Sequence, residues 1–419
     1  MNQRTILAAV VPLCAAFALS GGPSYAGPTA AKTTTRSTSF ALKTSGFGTR
    51  VIGGQLPVGS ATTAYKVIGC TNQAGVSRTN NVAEATLPGL GTATGLKTHV
   101  WTSSHRGVVA SHSTHSIAQV VLAQSQLGSL SLDGITSRVK AFHDSTGFHA
   151  TTTTGIGRLT FTPPIGPAQS FPAPTPDQPI AIPGLATIYA GQQVTHHSAT
   201  GASGKAFALR IDVIPTGTSI RIARSFAEID SGLTGGIFSG RSAATHVITA
   251  AGDIVQSGPN PLSTMPCQGT YGKKREKSLA SVDLGGQLVV KGARSQERGH
   301  QGSTRARGTS RAEVARVELG GQLVVDGIVG QVSVIRDGGH LTRSAKGTLL
   351  GRVSVGGQTQ TFPRTGVLEI PGIAKLERRV VTRTHGGIRV IGLRITLLDG
   401  SGAVIDLGEA SLAIRHLPH

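Results

Sequence analysis

Carboxylates and aromatic rings are both scarce in this chain. Twenty Asp and Glu stand against forty Lys and Arg, so the formal charge is +20. Glycosidase chemistry needs two facing carboxylates, and so few acids nominate no such pair. One Trp, four Tyr and eleven Phe supply few platforms on which bases can stack. No familiar nucleic-acid-binding motif occurs either. The excess positive charge points instead to an anionic cell-envelope polymer or acidic polysaccharide as partner, with no specific nucleic acid. Three cysteines exclude a cysteine-stapled scaffold. No HExxH, Cys-x-x-Cys or Gly-x-Ser-x-Gly pattern is present, so neither a zinc site nor a hydrolase elbow can be named. No cofactor is implied. Gly201-Ala202-Ser203-Gly204-Lys205 lacks the spacing of a phosphate loop and reads as a hairpin loop.

Glycine, with 57 residues, is abundant. It would weaken helices but suits hairpins and bulges. Apolar residues alternate with a period of two. Phe207, Leu209, Ile211 and Val213 fall on one strand face, and Ile391, Leu393, Ile395 and Leu397 repeat it. Those two runs belong to a duplication that covers most of the chain. Leu132-Asp133-Gly134-Ile135 returns as Val325-Asp326-Gly327-Ile328, and Ile182-Pro183-Gly184 returns as Ile370-Pro371-Gly372. The openings Ser45-Gly46 and Ser231-Gly232 suggest a further match, which would place an inserted loop between Thr234 and Pro266. The expected fold is all-β, as two tandem homologous antiparallel β-sandwich-like modules. A shorter echo, Ser281–Val290 against Arg316–Val325, keeps a β-solenoid as the alternative.

Residues 1–26 read as a secretory signal peptide, with Arg4, an apolar stretch and Ser24-Tyr25-Ala26 before the cut. Residues 27–39 read as a flexible lead-in, 40–230 as the first module and 231–419 as the second. No transmembrane segment remains after signal cleavage. The proline-rich stretch from Thr162 to Pro183 reads as an extended crossover. In an exported protein, Cys70 and Cys267 fall at matching points of the two copies. Whether they pair stays open.

Candidate sites are few. His99, His105, His112 and His115 lie close in sequence, but His112 and His115 should face opposite sides of a strand. Asp133, Asp326, Asp144 and Asp337 match between copies and read as turn residues that bond their own backbone. The densest basic stretch offers Lys273, Lys274, Arg275, Lys277, Arg305, Arg307 and Arg311 as a polyanion footprint.

The run Cys267-Gln268-Gly269-Thr270-Tyr271-Gly272, with Ser278–Leu284, Ala315–Gly321 and Val325-Asp326-Gly327, resembles exported actinobacterial proteins called choice-of-anchor P. The first copy carries Cys70-Thr71-Asn72, Asn81–Gly89 and Leu132-Asp133-Gly134. The resemblance implies a secreted or surface-displayed β protein. The leading expectation is a non-catalytic envelope-associated interaction protein. The alternative is a secreted hydrolase whose site gathers His143, Asp144 and His149 with a serine in the first module.

Overall fold

Segments with period-two apolar residues become strands because alternate side chains can then be buried on one face of a sheet. The computed structural model describes residues 35–53, 62–87, 90–125, 128–215, 217–249, 258–284, 288–400 and 402–417. The expected signal peptide lies outside these residues.

The first module contains β1 (Arg36–Gly53), β2 (Lys66–Ala74), β3 (Ser77–Leu87), β4 (Gly91–His105), β5 (Val108–Ser125), β6 (Gly128–Asp144) and β7 (Gly147–Gly155). It continues with β8 (Arg158–Thr162), β9 (Gln169–Phe171), β10 (Ile180–Ile182), β11 (Ala186–Ala190), β12 (Gln193–Ser198), β13 (Gly201–Val213) and β14 (Thr218–Asp230). The second contains β15 (Ile237–Thr249), β16 (Asn260–Thr264), β17 (Arg275–Leu284), β18 (Leu288–Gln301), β19 (Arg305–Leu319), β20 (Leu323–Asp337) and β21 (His340–Ser344). It ends with β22 (Leu349–Leu350), β23 (Val353–Val355), β24 (Gln358–Gln360), β25 (Val367–Ile370), β26 (Ala374–Thr384), β27 (Gly387–Leu397) and β28 (Val404–Arg415).

Each module is two antiparallel sheets face to face. The first has the orders β10-β11-β13-β14-β1-β2 and β3-β4-β5-β6-β8-β9. The second has β25-β26-β27-β28-β15-β16 and β17-β18-β19-β20-β23-β24. The two strand orders correspond, with β26 running where β11 and β12 do in the first copy. The repeated Ser281–Val290 and Arg316–Val325 segments are neighbouring hairpin arms of one sheet. That arrangement is a sandwich, and the solenoid alternative falls.

Strand β1 begins at Arg36, inside the segment expected to be a lead-in. Arg36 and Ser37 pair with Ala74 and Gln73, so the described end of this segment is held by a ladder. The Gly201–Lys205 segment is the start of β13, not a hairpin loop.

A row of small or left-handed residues crosses each sheet near its middle. In the first module Gly48, Ala223 and Ala208 form one such row, with Ala223 at φ 54°. Its counterpart in the second is Ala244, Gly408, Gly392 and Arg379, with φ 64° at Gly408 and 53° at Arg379. In the opposing sheets the rows run through Gly95, Ala118 and Gly134, and through Gly292, Ala315 and Gly327. A Cβ on Gly95 or Gly292 would stand 2.7 Å from the Cβ of Ala118 or Ala315. Asp133 and Asp326 therefore sit inside long strands, each just before a kink glycine, and not at turns. Asp144 does occupy a turn, where it accepts bonds from the Thr146 backbone N–H and hydroxyl.

Each kink resets the alternation. Before Ala208 the inward residues of β13 are Ala202 and Ala206, and after it Leu209 and Ile211. Phe207 therefore lies on the outer face, opposite to Leu209, contrary to the simple period-two reading. The core of each module is divided accordingly into two clusters. Fully burying side chains such as Leu209 and Ile211 contributes about 1.5–3 kcal/mol each.

Matching the kinks places Thr49 opposite Ile222 in the first copy where Thr245 stands opposite Leu407 in the second. Ser45 thus corresponds to Arg241, and the Ser45–Ser231 match with its inserted loop is overturned. Cys70 on edge strand β2 and Cys267 just beyond β16 form a disulfide, with Cα atoms 5.3 Å apart. Around it Ala41 and Ile237 are buried, with Leu233 and Leu417 packed against them.

Candidate functional site

The seven basic residues named from the sequence do not make one free cationic stripe. Lys274 pairs with Glu276 at 2.7 Å and Arg305 with Asp337 at 3.8 Å. Arg311 is bound to Glu313 and to Gln331. Lys277 donates to the Leu262 carbonyl at 2.8 Å. Arg275 and Lys277 lie opposite buried Glu297 and Ser295, so they leave edge strand β17 on the other side from Lys274 and Glu276. Only Lys273, Arg275 and Arg307 are exposed without a described partner. Glu276 and Glu313 lie two residues from their bases, and Asp337 reaches Arg305 from the neighbouring strand.

The hydrolase constellation does not assemble. Thr146 Oγ1 contacts both Asp144 at 2.7 Å and His149 Nε2 at 2.8 Å. Acid and hydroxyl thus meet the same ring nitrogen, whereas a triad needs them on opposite nitrogens. His143 points the other way, against Phe40 and Phe148. Among the histidines, His112 faces outward and His115 inward, as their spacing implies. His99, Trp101 and His112 stack with ring centroids 4.5 Å apart. His115 is buried and bonds Thr98 at 2.6 Å. Burial holds the His115 pKa down to about 4. Burial, Lys140 and His99 do the same for His112, also to about 4. Among the described residues no group of three His, Cys, Asp or Glu is placed to hold a metal. None of their helices is long and apolar enough to cross a membrane.

A site missed in the sequence lies on the outer face of β1, β14 and β13. Cross-strand pairing makes three rows there. Phe47, Arg224 and Phe207 form one, Ser45, Phe226 and Lys205 the second, and Arg50, Arg221 and Arg210 the third. Cations lie over rings. Arg224 sits 5.6 Å from the Phe47 centroid and 5.4 Å from that of Phe226. Lys205 lies 4.9 Å from Phe207, and Arg210 lies 4.0 Å from Tyr189. Such contacts orient the cations and cover the rings.

Most of these cations lack counter-charge. Arg210 pairs with Asp212 at 3.1 Å, and Lys43 at the margin pairs with Glu228 at 3.5 Å. Arg50, Lys205, Arg221 and Arg224 meet no carboxylate among the described residues. Arg50 Nε is buried without a hydrogen-bond partner. Burial and then Arg221 pull the Arg50 pKa down. Lys205 is pulled down by burial, Arg224 and Arg221.

The second module shows how the scaffold neutralises equivalent positions. Matching Ala223 with Gly408 puts Asp406 where Arg221 stands and Glu409 where Arg224 stands. Both acids are buried. Glu409 is bound by Arg241 at 2.9 Å, Arg389 at 3.0 Å and His246 at 3.4 Å. Burial alone would raise its pKa, but His246, Arg241 and Arg389 outweigh this and hold it at about 2. Asp406 is bound by Arg394 at 2.7 Å and Arg389 at 3.4 Å. The first-module counterparts of His246, Arg389 and Arg394 are Arg50, Lys205 and Arg210. Three of the four cationic positions are thus retained, Ser45 standing where Arg241 does, and the two acids between them are replaced by arginines. The sequence signal was present in Arg221-x-x-Arg224 against Asp406-x-x-Glu409, which align without a gap once Ile220-Arg221-Ile222 is matched to Ile405-Asp406-Leu407; sheet pairing is what surrounds them with cations. No protein-family model matches this chain, and no curated protein matches it.

Proposed function

We propose that this chain is an exported, non-catalytic binding protein of the cell envelope that holds an anionic polymer on the outer face of its first module. The observation that carries the reading is the exchange of Asp406 and Glu409 for Arg221 and Arg224 within an otherwise cationic setting. Desolvated guanidinium groups lacking a carboxylate favour an external phosphate, sulfate or carboxylate group. The aromatic rings beneath them, with Phe47 and Phe207 buried, hold the cations in place at the surface. Export is supported by the leader-like N-terminus and by the disulfide, which belongs to an oxidising compartment. The likeness to choice-of-anchor P proteins belongs to the same proposal. The Lys273–Arg311 stretch becomes a secondary contributor, because much of its charge is internally paired.

The test copies the second module into the first. An Arg221→Asp, Arg224→Glu variant supplies the two missing acids to Arg50, Lys205 and Arg210. Retention on purified cell walls and on heparin is measured across a salt series, with a thermal melt as control. The variant should lose retention at about 0.15 M salt while melting no lower than the parent. Parent retention should fade toward about 1 M salt, where the screening length is about 3 Å. Unchanged retention in the variant would overturn the proposal, as would parent retention indifferent to salt.

A further inference from the structure

The end of the second sandwich holds a cleft of about 460 Å³, lined by Arg336, Thr384, His385, Gly386, Ala413, Arg415 and His416. Arg336 stands on the inner face of β20 and is 8% exposed. Its Nε donates to the Ile414 carbonyl at 2.9 Å. A guanidinium carries five N–H donors, and no other bond from Arg336 to a described residue is made. Among the described residues no acid lines the cleft. The adjacent carboxylate, Asp337, pairs with Arg305 at 3.8 Å. Burial pulls the Arg336 pKa down with no charge opposing it. A covered cation without a counter-ion costs free energy unless something else supplies the charge.

The first module shows the same place closed. There His143 takes the position of Arg336, since His143 pairs with Phe148 and Arg336 with Leu341. The His143 ring lies 4.7 Å from Phe40 and 4.6 Å from Phe148. The kink register puts Gly236 where Phe40 stands. A Cβ on Gly236 would come 2.8 Å from Ile414 Cγ2 and 2.9 Å from the Arg415 carbonyl oxygen. No ring can occupy that position. An aromatic plug over an imidazole has become an open cleft over a guanidinium.

We propose that this cleft is a binding site for a small dianionic oxyanion of the phosphate class, gripped by the terminal nitrogens of Arg336 and approached by Arg415 and His385. It is separate from the cationic face of the first module and stands without it. Fork geometry and the lack of acidic side chains among the described lining residues favour a compact tetrahedral oxyanion over an extended polymer.

The experiment is calorimetric titration of inorganic phosphate into the full chain at neutral pH. The parent should bind saturably at one site. Arg336→Gln should weaken binding about tenfold or more, the loss of one charge-assisted contact. Exposed Arg415→Ser should weaken it about threefold, and its fold does not depend on that side chain. The Arg221→Asp, Arg224→Glu variant should bind phosphate like the parent. Absence of saturable binding in the parent overturns the proposal. Parental affinity in Arg415→Ser and in a folded Arg336→Gln does so too. Loss of phosphate binding in the Arg221→Asp, Arg224→Glu variant would place the ion on the other module and equally overturn it.

Discussion

Glu297→Gln should stabilise the protein at alkaline pH and leave it nearly unchanged at pH 5. Glu297 is buried between the sheets of the second module, where Ser242 donates to it at 2.8 Å and Ser310 also bonds it. No cation pairs with it among the described residues. Burial pushes its pKa up from 4.5 to about 8, against the two serine hydroxyls, which favour the charged form. The folded pKa is above the unfolded one, so the folded state holds the proton more tightly. This group's contribution is therefore most favourable below about pH 4.5 and is lost as pH rises to about 8. At about 1.4 kcal/mol per pH unit, the full excursion is about 4–5 kcal/mol. Gln preserves size and hydrogen bonding and removes the titration. Urea unfolding of parent and variant, followed by circular dichroism from pH 5 to pH 9, reads the difference. Every other titrating group is common to both proteins and cancels. The stability gap should widen steadily from about pH 5 to pH 8 and then level off. A gap that stays flat over this range would refute the assignment of a neutral buried acid.

The remaining expectations follow from groups already placed. Stability should also fall as pH drops from 6.5 toward about 4, because His112 and His115 are held neutral in the fold. Acid titration of a His115→Gln variant should show a flatter limb. Thiol counting on the native protein should find Cys70 and Cys267 blocked, and reduction should cost about 5 kcal/mol in the chain-entropy account of so long a loop. Replacing Asp406 by Asn should destabilise by about 3–5 kcal/mol, since it leaves Arg394 without a carboxylate and Arg389 with Glu409 alone; urea midpoints would show it. Lys274→Ser, Arg305→Ser and Arg311→Ser together should reduce heparin retention less than the Arg221→Asp, Arg224→Glu exchange does.

The period-two residues, the duplication and the cysteine positions were legible because each is a local or same-order property of the chain. The hairpin echo was legible for the same reason. The face of Phe207 was not, because a kink at Ala208 shifts the alternation by one residue and leaves no strong mark in composition. The aspartates before Gly134 and Gly327 looked like turn residues because glycine with positive φ serves turns and mid-strand kinks alike. The basic stretch looked free because net charge hides the pairing of Lys274 with Glu276 and Arg311 with Glu313, two residues apart, and of Arg305 with Asp337 across strands. The cationic face was hidden for a related reason. Its members come from β1, β13 and β14, and only sheet pairing brings them side by side.

The bond between Cys70 and Cys267 also decides how the protein answers a pull on its two ends. Cysteines 197 residues apart short-circuit the chain, so tension passes through sulfur and not through the strands between them. That interior segment would otherwise pay out a contour of roughly 650–700 Å at about 3.3–3.6 Å per residue. Under load in an oxidising medium it stays out of the force path. In reductant the same molecule becomes a far longer tether, and single-molecule extension with and without reductant would measure the difference directly.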